Sequence, residues 1–221
     1  MLSTKHSDKI AMTPNTALYI LAKSPETGKV KTRLGKTIGM EQAKDAHVEM
    51  LDAMLNIATD ALAHSPLIKS VNLLIEGNKQ QPELKKLLTK YNLSPQSQAD
   101  GDLGDKMAQA FITGLQNHKA VIITGTDCPL ITPDYLNQAA EKLQKKDLVL
   151  GPAEDGGYVL IGASKFNPTI FAEVSWGGET VYEKTCLNIQ TAGLSYEDLP
   201  TLWDIDIEED LIRWKNLKVK L

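Results

Sequence analysis

An open, mostly parallel α/β sheet with helices on both faces is the fold class that this 221-residue sequence predicts, on three observations. Short, continuously apolar runs recur, among them ALYILA, VNLLIE and AVIITG, as strands buried on both faces should read. Stretches with helical apolar period lie between them. Strand-like and helix-like segments alternate along the chain, which is the signature of crossover connections.

Residues 1–16 carry no apolar period and read as a flexible N-terminal arm, with residues 17–221 forming one domain. ALYILA is the first core strand. From Glu41 to Ala63 apolar residues fall at Ala43, Ala46, Met50, Ala53, Ile57 and Ala61, steps of three and four that lay one stripe along a helix. VNLLIE is a second strand, PELKKLLTKY a second helix, and DLGDKMAQAFITGL a third helix opened by capping-type aspartates. AVIITG is another buried strand, and TPDYLNQAAEKLQKK a helix with Pro133 near its first turn. DLVLGP and GYVLIG are paired strands around a glycine-rich bend.

Apolar residues make up 42% of the chain and charged residues 24%, the balance of a globular protein with a sizeable core. The formal net charge of -4 supplies no basic field for a phosphate backbone, so nucleic acid is not expected as a partner. Cys128 and Cys186 form no Cys-x-x-Cys pair and read as reduced thiols. The polar start and the shortness of the apolar runs point to a cytoplasmic protein with no membrane span. His6, His47, His64 and His118 show no metal spacing, and Gly-x-Ser-x-Gly, Walker and dinucleotide glycine signatures are all absent.

In such a sheet ligands bind beyond the carboxyl ends of the strands. AKSPETGKVKTRLG leaves the first strand at that end and carries Lys23, Lys31 and Arg33 around a turn that Gly28 lets close. Lysine gives point-charge contacts to phosphate oxygens and arginine a planar fork, so the three suit a diphosphate or triphosphate. A solvated cationic loop is the other reading of the same residues. Asp127, in ITGTDCPLI, follows another strand at its carboxyl end, where a carboxylate can hold Mg²⁺ or Mn²⁺. LWDIDIEEDL offers it a partner: Asp204 and Asp206 are two apart and share a face, and Asp206 is the chosen ligand. The same aspartate also suits an N-cap for the helix after it. GPAEDGGYVLIG sets Glu154 and Asp155 before two glycines, either as a plain turn or as an acceptor-side acid, and SWGGET adds Glu179.

Taken together, AKSPETGKVKTRL, QADGDLGDKM, GTDCPLI, GPAEDGGYVLIG, SWGGETV and DIDIEEDL resemble a small bacterial glycosyltransferase-like family with the nucleotide-diphospho-sugar transferase (GT-A) fold. Some members of that family are assigned to arsenosugar biosynthesis. The resemblance runs from about Leu18 to Leu211, with a more distant likeness to sugar-phosphate, molybdopterin and phospholactate nucleotidyltransferases. It implies Lys23, Lys31 and Arg33 at the phosphates, Gln98 and Gly101 at the nucleoside, Asp127 and Asp206 as the metal pair, and Asp155 on the substrate side. The nucleotidyltransferases' Gly-x-Gly-x-Arg signature is absent, which favours a nucleotide-diphosphate sugar over a nucleoside triphosphate as donor. The Asp-x-Asp of many glycosyltransferases is here Thr126-Asp127-Cys128. The expected activity is glycosyl transfer to a small or anionic acceptor. Nucleotidyl transfer from a nucleoside triphosphate and a non-catalytic nucleotide-sugar binding module are the alternatives.

Overall fold

A computed structural model describes residues 15–218, so most of the arm expected at the N-terminus lies outside the described residues. Seven strands form one sheet: β1 (Thr16–Lys23), β2 (Ile68–Glu76), β3 (Gln96–Ser97), β4 (Ala120–Thr124), β5 (Leu148–Pro152), β6 (Tyr158–Ala163) and β7 (Tyr196–Asp198). Their order across the sheet is β3-β2-β1-β4-β6-β5-β7. β1 pairs in parallel with β2 and β4, while β6 runs antiparallel to both β4 and β5. β6 is thus the one reversed strand among the seven, inserted by the glycine-rich bend expected from the sequence. The sheet is mixed but mostly parallel, as expected.

The continuous apolar runs are explained by burial on both faces. Leu18, Ile20 and Ala22 of β1 enter one core cluster, whereas Ala17 and Tyr19 enter the other. The first cluster is closed by α2 (Met40–His64), α3 (Pro82–Tyr91) and α5 (Pro133–Lys142), the second by α4 (Leu103–Gly114), a 3₁₀ turn (Pro168–Phe171) and α6 (Val181–Thr191). Along α2 the buried stripe takes in Met54, Leu55 and Ala58, while Ala53 and Ile57 are only half-buried. A helix lying flat on a sheet buries a broader stripe than a strict three-and-four count marks.

Local chemistry sets the helix starts. Asp102 accepts from the Asp105 N–H at 3.0 Å while the Asp105 carboxylate accepts from the Asp102 N–H at 3.1 Å, a reciprocal cap that opens α4. Thr132 caps α5 by accepting from the Tyr135 N–H at 3.1 Å, with Pro133 following it. Two helices flank the site. α1 (Thr32–Ile38) falls inside the stretch read as a loop, because its seven residues are too few to show a period. α7 (Glu208–Lys218) follows the LWDID segment.

A third, smaller cluster joins these two helices. Leu34 of α1, Met50 of α2, Trp203 and Ile205, and Leu211 and Trp214 of α7 pack together. Each such large side chain contributes about 1.5–3 kcal/mol on burial, so the cluster fixes the loop after β1 against the segment that carries Asp204 and Asp206.

At the opposite end of the sheet, Asp147 ties the start of β5 to the start of β7. Its Oδ2 accepts from the Ser195 N–H at 2.9 Å and from the Ser195 hydroxyl at 2.8 Å, and its Oδ1 meets Lys165 Nζ at 2.6 Å. The Lys165 ammonium first, and then the Ser195 donors, hold this carboxyl down at about 2, below its ordinary 3.8. A depressed carboxyl stabilises the fold above its unfolded pKa and loses that contribution as pH falls through the folded value. Asp147→Asn should therefore cost about 1–2 kcal/mol in urea unfolding at pH 7. The gap to wild type should close as the pH falls from about 4 towards 2; a constant gap would refute the assignment.

Candidate active site

β1, β2, β4 and β5 all end on one edge of the sheet, and there a cleft of about 640 Å³ opens. Lys23, Lys31, Arg33, Gln98, Asp127, Asp155, Asp204 and Asp206 line it. Lys23 and Asp206, 183 positions apart in sequence, thus share one cavity.

The loop after β1 turns at Gly28, whose φ of +76° is a left-handed conformation suited to glycine. Lys31 adopts a left-handed φ of 46° as the residue before α1, which is uncommon for a side chain of its size. The conformation turns its ammonium inward. Lys31 Nζ lies 2.8 Å from Asp127 Oδ2 and donates to the Ile205 carbonyl at 2.5 Å, and only 5% of its side chain is exposed. The Ile205 N–H in turn donates to the Asp127 carbonyl at 2.9 Å. Burial is the largest single influence and works to raise the Asp127 pKa, but the charge and hydrogen bond of Lys31, with smaller help from His47 and Thr126, together hold the carboxyl below its ordinary range.

Arg33 Nη1 meets Asp206 Oδ2 at 2.6 Å in a pair open to solvent, with 67% of the arginine side chain exposed. The Asp206 carboxylate raises the arginine pKa further. Asp206 does not cap α7 with its side chain: Asp210 Oδ2 accepts from the Asp206 and Ile207 N–H groups at 3.1 and 3.0 Å. Both aspartates proposed as a metal pair line the cleft, each holding a loop cation.

Asp204, the other aspartate of the LWDID segment, also lines the cleft. Burial first, and then the Asp155 charge, push its carboxyl up to about 6. Asp155 is exposed, with Oδ1 accepting from the Gly157 N–H at 2.9 Å, so it is at once a turn residue and a cleft residue. Glu154 turns away and grips Arg213 at 2.9 and 3.2 Å, while that guanidinium lies 4.1 Å from the Trp203 ring centroid. Glu179 is exposed and not among the residues that line the cleft; its backbone carbonyl abuts Gly156.

Gln98 lines the cleft, but its amide nitrogen donates to the Ala22 and Leu74 carbonyls at 2.8 and 3.1 Å. Its carbonyl oxygen is what remains for a ligand. Gly101, with φ of +102°, is not among the lining residues; it packs against Asp105 just before the capping box.

Several lining residues carried no functional signal in the sequence. His47 sits on the buried stripe of α2, and its Nε2 lies 2.9 Å from the Lys23 carbonyl. Burial lowers its pKa, so it is neutral at pH 7. Lys106 reaches Glu76 at 2.7 Å, and Trp176, Leu103 and Met107 line the cleft as well. Trp176 lies in SWGGET, the segment that also carries Glu179.

The oxygen-only donors of Asp127 and Asp206 fit a hard divalent cation, which takes one or two carboxylates and completes its shell with phosphates and water. Among the described residues no group of three or more His, Cys, Asp or Glu is placed to hold a metal unaided. No helix among them is long and apolar enough to cross a membrane.

The bacterial family described as "Uncharacterized protein conserved in bacteria (DUF2064)" matches residues 58–178, more than half of the chain. A protein from Desulfovibrio desulfuricans G20, provisionally named a nucleotide-diphospho-sugar transferase, is similar at 29% identity and a TM-score of 0.76. The match covers 87% of this chain and 82% of that one. A cytidylyltransferase from Leptospira borgpetersenii shares the fold at 16% identity and a TM-score of 0.57, over 94% of this chain and 88% of its own. Glucosyl-3-phosphoglycerate synthase from Mycobacterium tuberculosis, solved with Mn²⁺, UDP and glucosyl-3-phosphoglycerate, shares it at 9% identity and a TM-score of 0.53, covering 89% and 75%. No curated protein matches. The fold is therefore that of the nucleotide-diphospho-sugar transferases, as the sequence motifs implied.

Replacing Lys31 should expose how the site is balanced. Lys31→Met leaves Asp127 and the Ile205 carbonyl without their buried donor and should cost about 1–3 kcal/mol of stability. The Asp127 carboxyl should then titrate at higher pH than in wild type, as read by carbon NMR of labelled aspartate. An unmoved Asp127 titration would mean that Lys31 does not govern it.

Proposed function

The chain belongs to the DUF2064 family, and from its likeness to a protein provisionally named a nucleotide-diphospho-sugar transferase, together with its cleft, we propose that it is a transferase moving a glycosyl group from a nucleotide-diphosphate sugar to a small acceptor. The observation that carries this reading is the convergence of Lys31 and Arg33 with Asp127 and Asp206 in one cleft at the carboxyl edge of the sheet. Fixed cations there suit a diphosphate. Lys23 lies on the same side and extends the positive wall.

As the glycosidic bond breaks, negative charge gathers on the departing diphosphate, and Lys31 and Arg33 are positioned to offset it. Mg²⁺ or Mn²⁺ on Asp127 and Asp206 would add Lewis-acid stabilisation of the same charge. Gln98 presents its carbonyl oxygen to the nucleoside, while Gly101, implied for that role by resemblance, shapes the turn before α4. Asp155 serves the acceptor: it borders open cleft, and its carboxylate can take the proton of an attacking hydroxyl. Glu179 is the second choice, being further from the cleft.

Product identity separates this reading from its closest rival. Nucleotidyl transfer releases pyrophosphate from a nucleoside triphosphate, whereas glycosyl transfer releases a nucleoside diphosphate. Titration with nucleoside diphosphates and nucleotide sugars, with and without Mn²⁺, comes first. Arg33→Ala should weaken the best nucleotide by about tenfold or more while leaving the thermal midpoint unchanged, because an exposed ion pair adds little stability. Unchanged affinity would remove the loop from the donor site. Asp155→Asn should keep donor affinity and slow transfer by about a hundredfold or more, the usual size of a general-base contribution. Normal turnover in that variant would move the base to Glu179, and loss of donor affinity would make Asp155 a donor ligand.

A further inference from the structure

Lys23, Glu76 and Gln98 stand in a row at the carboxyl ends of three neighbouring strands, and all three line the cleft. Lys23 closes β1 and Glu76 closes β2, and the two are paired in register. Gln98 follows β3 beside Glu76: Ile75 pairs with Ser97, and the Gln98 N–H donates to the Ile75 carbonyl at 3.2 Å. Glu76 lies on the face that α4 covers, since Leu74 two residues before it enters the second core cluster and Lys106 of α4 meets its Oε2 at 2.7 Å.

The row is held in place. The Gln98 amide nitrogen donates to the Ala22 and Leu74 carbonyls, and carbonyls only accept, so the amide cannot flip and Oε1 is left as an acceptor. Lys106 engages one oxygen of Glu76 and leaves the other as an acceptor; its hydrogen bond also lowers the glutamate pKa, so the group is a carboxylate at pH 7. The turn after Glu76 is tied to the loop after β1, because the Ser24 hydroxyl donates to the Asn78 carbonyl at 2.6 Å and Glu26 Oε1 accepts from the Asn78 N–H at 3.2 Å. Lys79 Nζ donates to Ser97 Oγ at 2.7 Å and joins the same turn to β3. From β1 to β3 the row thus runs donor, acceptor, acceptor. A guanine edge runs acceptor, donor, donor, as O6, N1–H and N2–H₂. Uracil offers one N–H between two carbonyls, and adenine and cytosine one amino group beside a ring-nitrogen acceptor. Each of these would leave one of the two fixed acceptors without a donor.

We infer that Glu76 and Gln98 select guanine as the base of the donor nucleotide, accepting from its N1–H and N2–H₂, with Lys23 on the O6 side. The inference rests on the glycosyl-transfer reading above, and narrows its nucleotide-diphosphate sugar to a guanosine one. Glu76 is then a specificity-determining residue, in contact with the base and remote from the bond that breaks.

The test is calorimetric titration of the full chain, with Mn²⁺, by guanosine, inosine, uridine, cytidine and adenosine diphosphates. Guanosine diphosphate should bind at least about tenfold more tightly than the uridine, cytidine and adenosine compounds. Inosine diphosphate, which lacks only the N2 amino group, should bind about tenfold more weakly than guanosine diphosphate. Glu76→Gln should weaken guanosine diphosphate by about tenfold or more and leave uridine diphosphate within about twofold. The inosine comparison is made on wild type, so it carries the test if the variant fails to fold. Another base bound as tightly as guanine, or inosine and guanosine diphosphates bound equally, would overturn the inference. So would a Glu76→Gln variant that keeps its guanosine diphosphate affinity, or one that loses every nucleotide equally, since the carboxylate would then act on the sugar or the phosphates. Nucleoside diphosphate binding without base preference sinks this inference alone; failure of every nucleoside diphosphate to bind wild type sinks the functional reading as well.

Discussion

The arrangement of the cleft depends on one buried ammonium. Lys31 Nζ joins three distant segments, its own loop, Asp127 after β4 and the Ile205 carbonyl before α7, through contacts of 2.8 and 2.5 Å. A lysine head taken out of water needs partners for its charge, and each partner here is fixed by a different part of the fold. The carboxylate comes from the strand end, the carbonyl from a segment clamped by Trp203 and Trp214. Remove the cation and a carboxylate under partial burial is left unbalanced, so packing and electrostatics at this point are one constraint.

The reversal of β6 serves the same end. Were every strand parallel, each return would need a crossover, and the chain could not turn back directly at Ala153–Gly157. The hairpin places Asp155 at the carboxyl edge, where the β4 loop already holds Asp127, and brings Tyr158 to the rim. Trp176 then reaches the rim from the segment before α6, braced on Phe171. The cleft is lined by both ionic and apolar side chains, because elements from both faces of the sheet feed it.

How much of this was legible in the sequence follows from which forces leave a local trace. Burial on both faces leaves one, so ALYILA, VNLLIE and AVIITG mark β1, β2 and β4, and helix starts leave one, so Asp102 and Pro133 mark the openings of α4 and α5. Strand ends then locate Lys31, Arg33 and Asp127 by topology alone. Helix α1 left no trace, being two turns long, and β3 and β7, of two and three residues, are too short for an alternation to register. The choice between Asp204 and Asp206 was not legible either. Both alternate onto one face, and only the third core cluster, assembled from residues between 34 and 214, decides that one meets Arg33 while the other sits among carboxylates. His47 was hidden for the opposite reason: on an apolar helix stripe it reads as core, and its bond to the Lys23 carbonyl is a tertiary fact.

The ion pairs also bear on how a charged ligand would enter. Under the proposed function, Asp127 holds Lys31 and Asp206 holds Arg33, so these four charges of a donor complex are already paired with one another. A diphosphate arriving alone must draw the two cations from their carboxylates, and a divalent cation alone must displace the ammonium and the guanidinium. Arriving together they exchange partners, phosphate for carboxylate on the cations and metal for cation on the carboxylates, and no charge is left unpaired. Under the proposed function the buried Lys31 pair resists exchange more than the exposed Arg33 pair, since screening by water already weakens the latter. Arg33 is then the group that yields first, and Lys31 the one that keeps loop and strand end in register while the ligands change places.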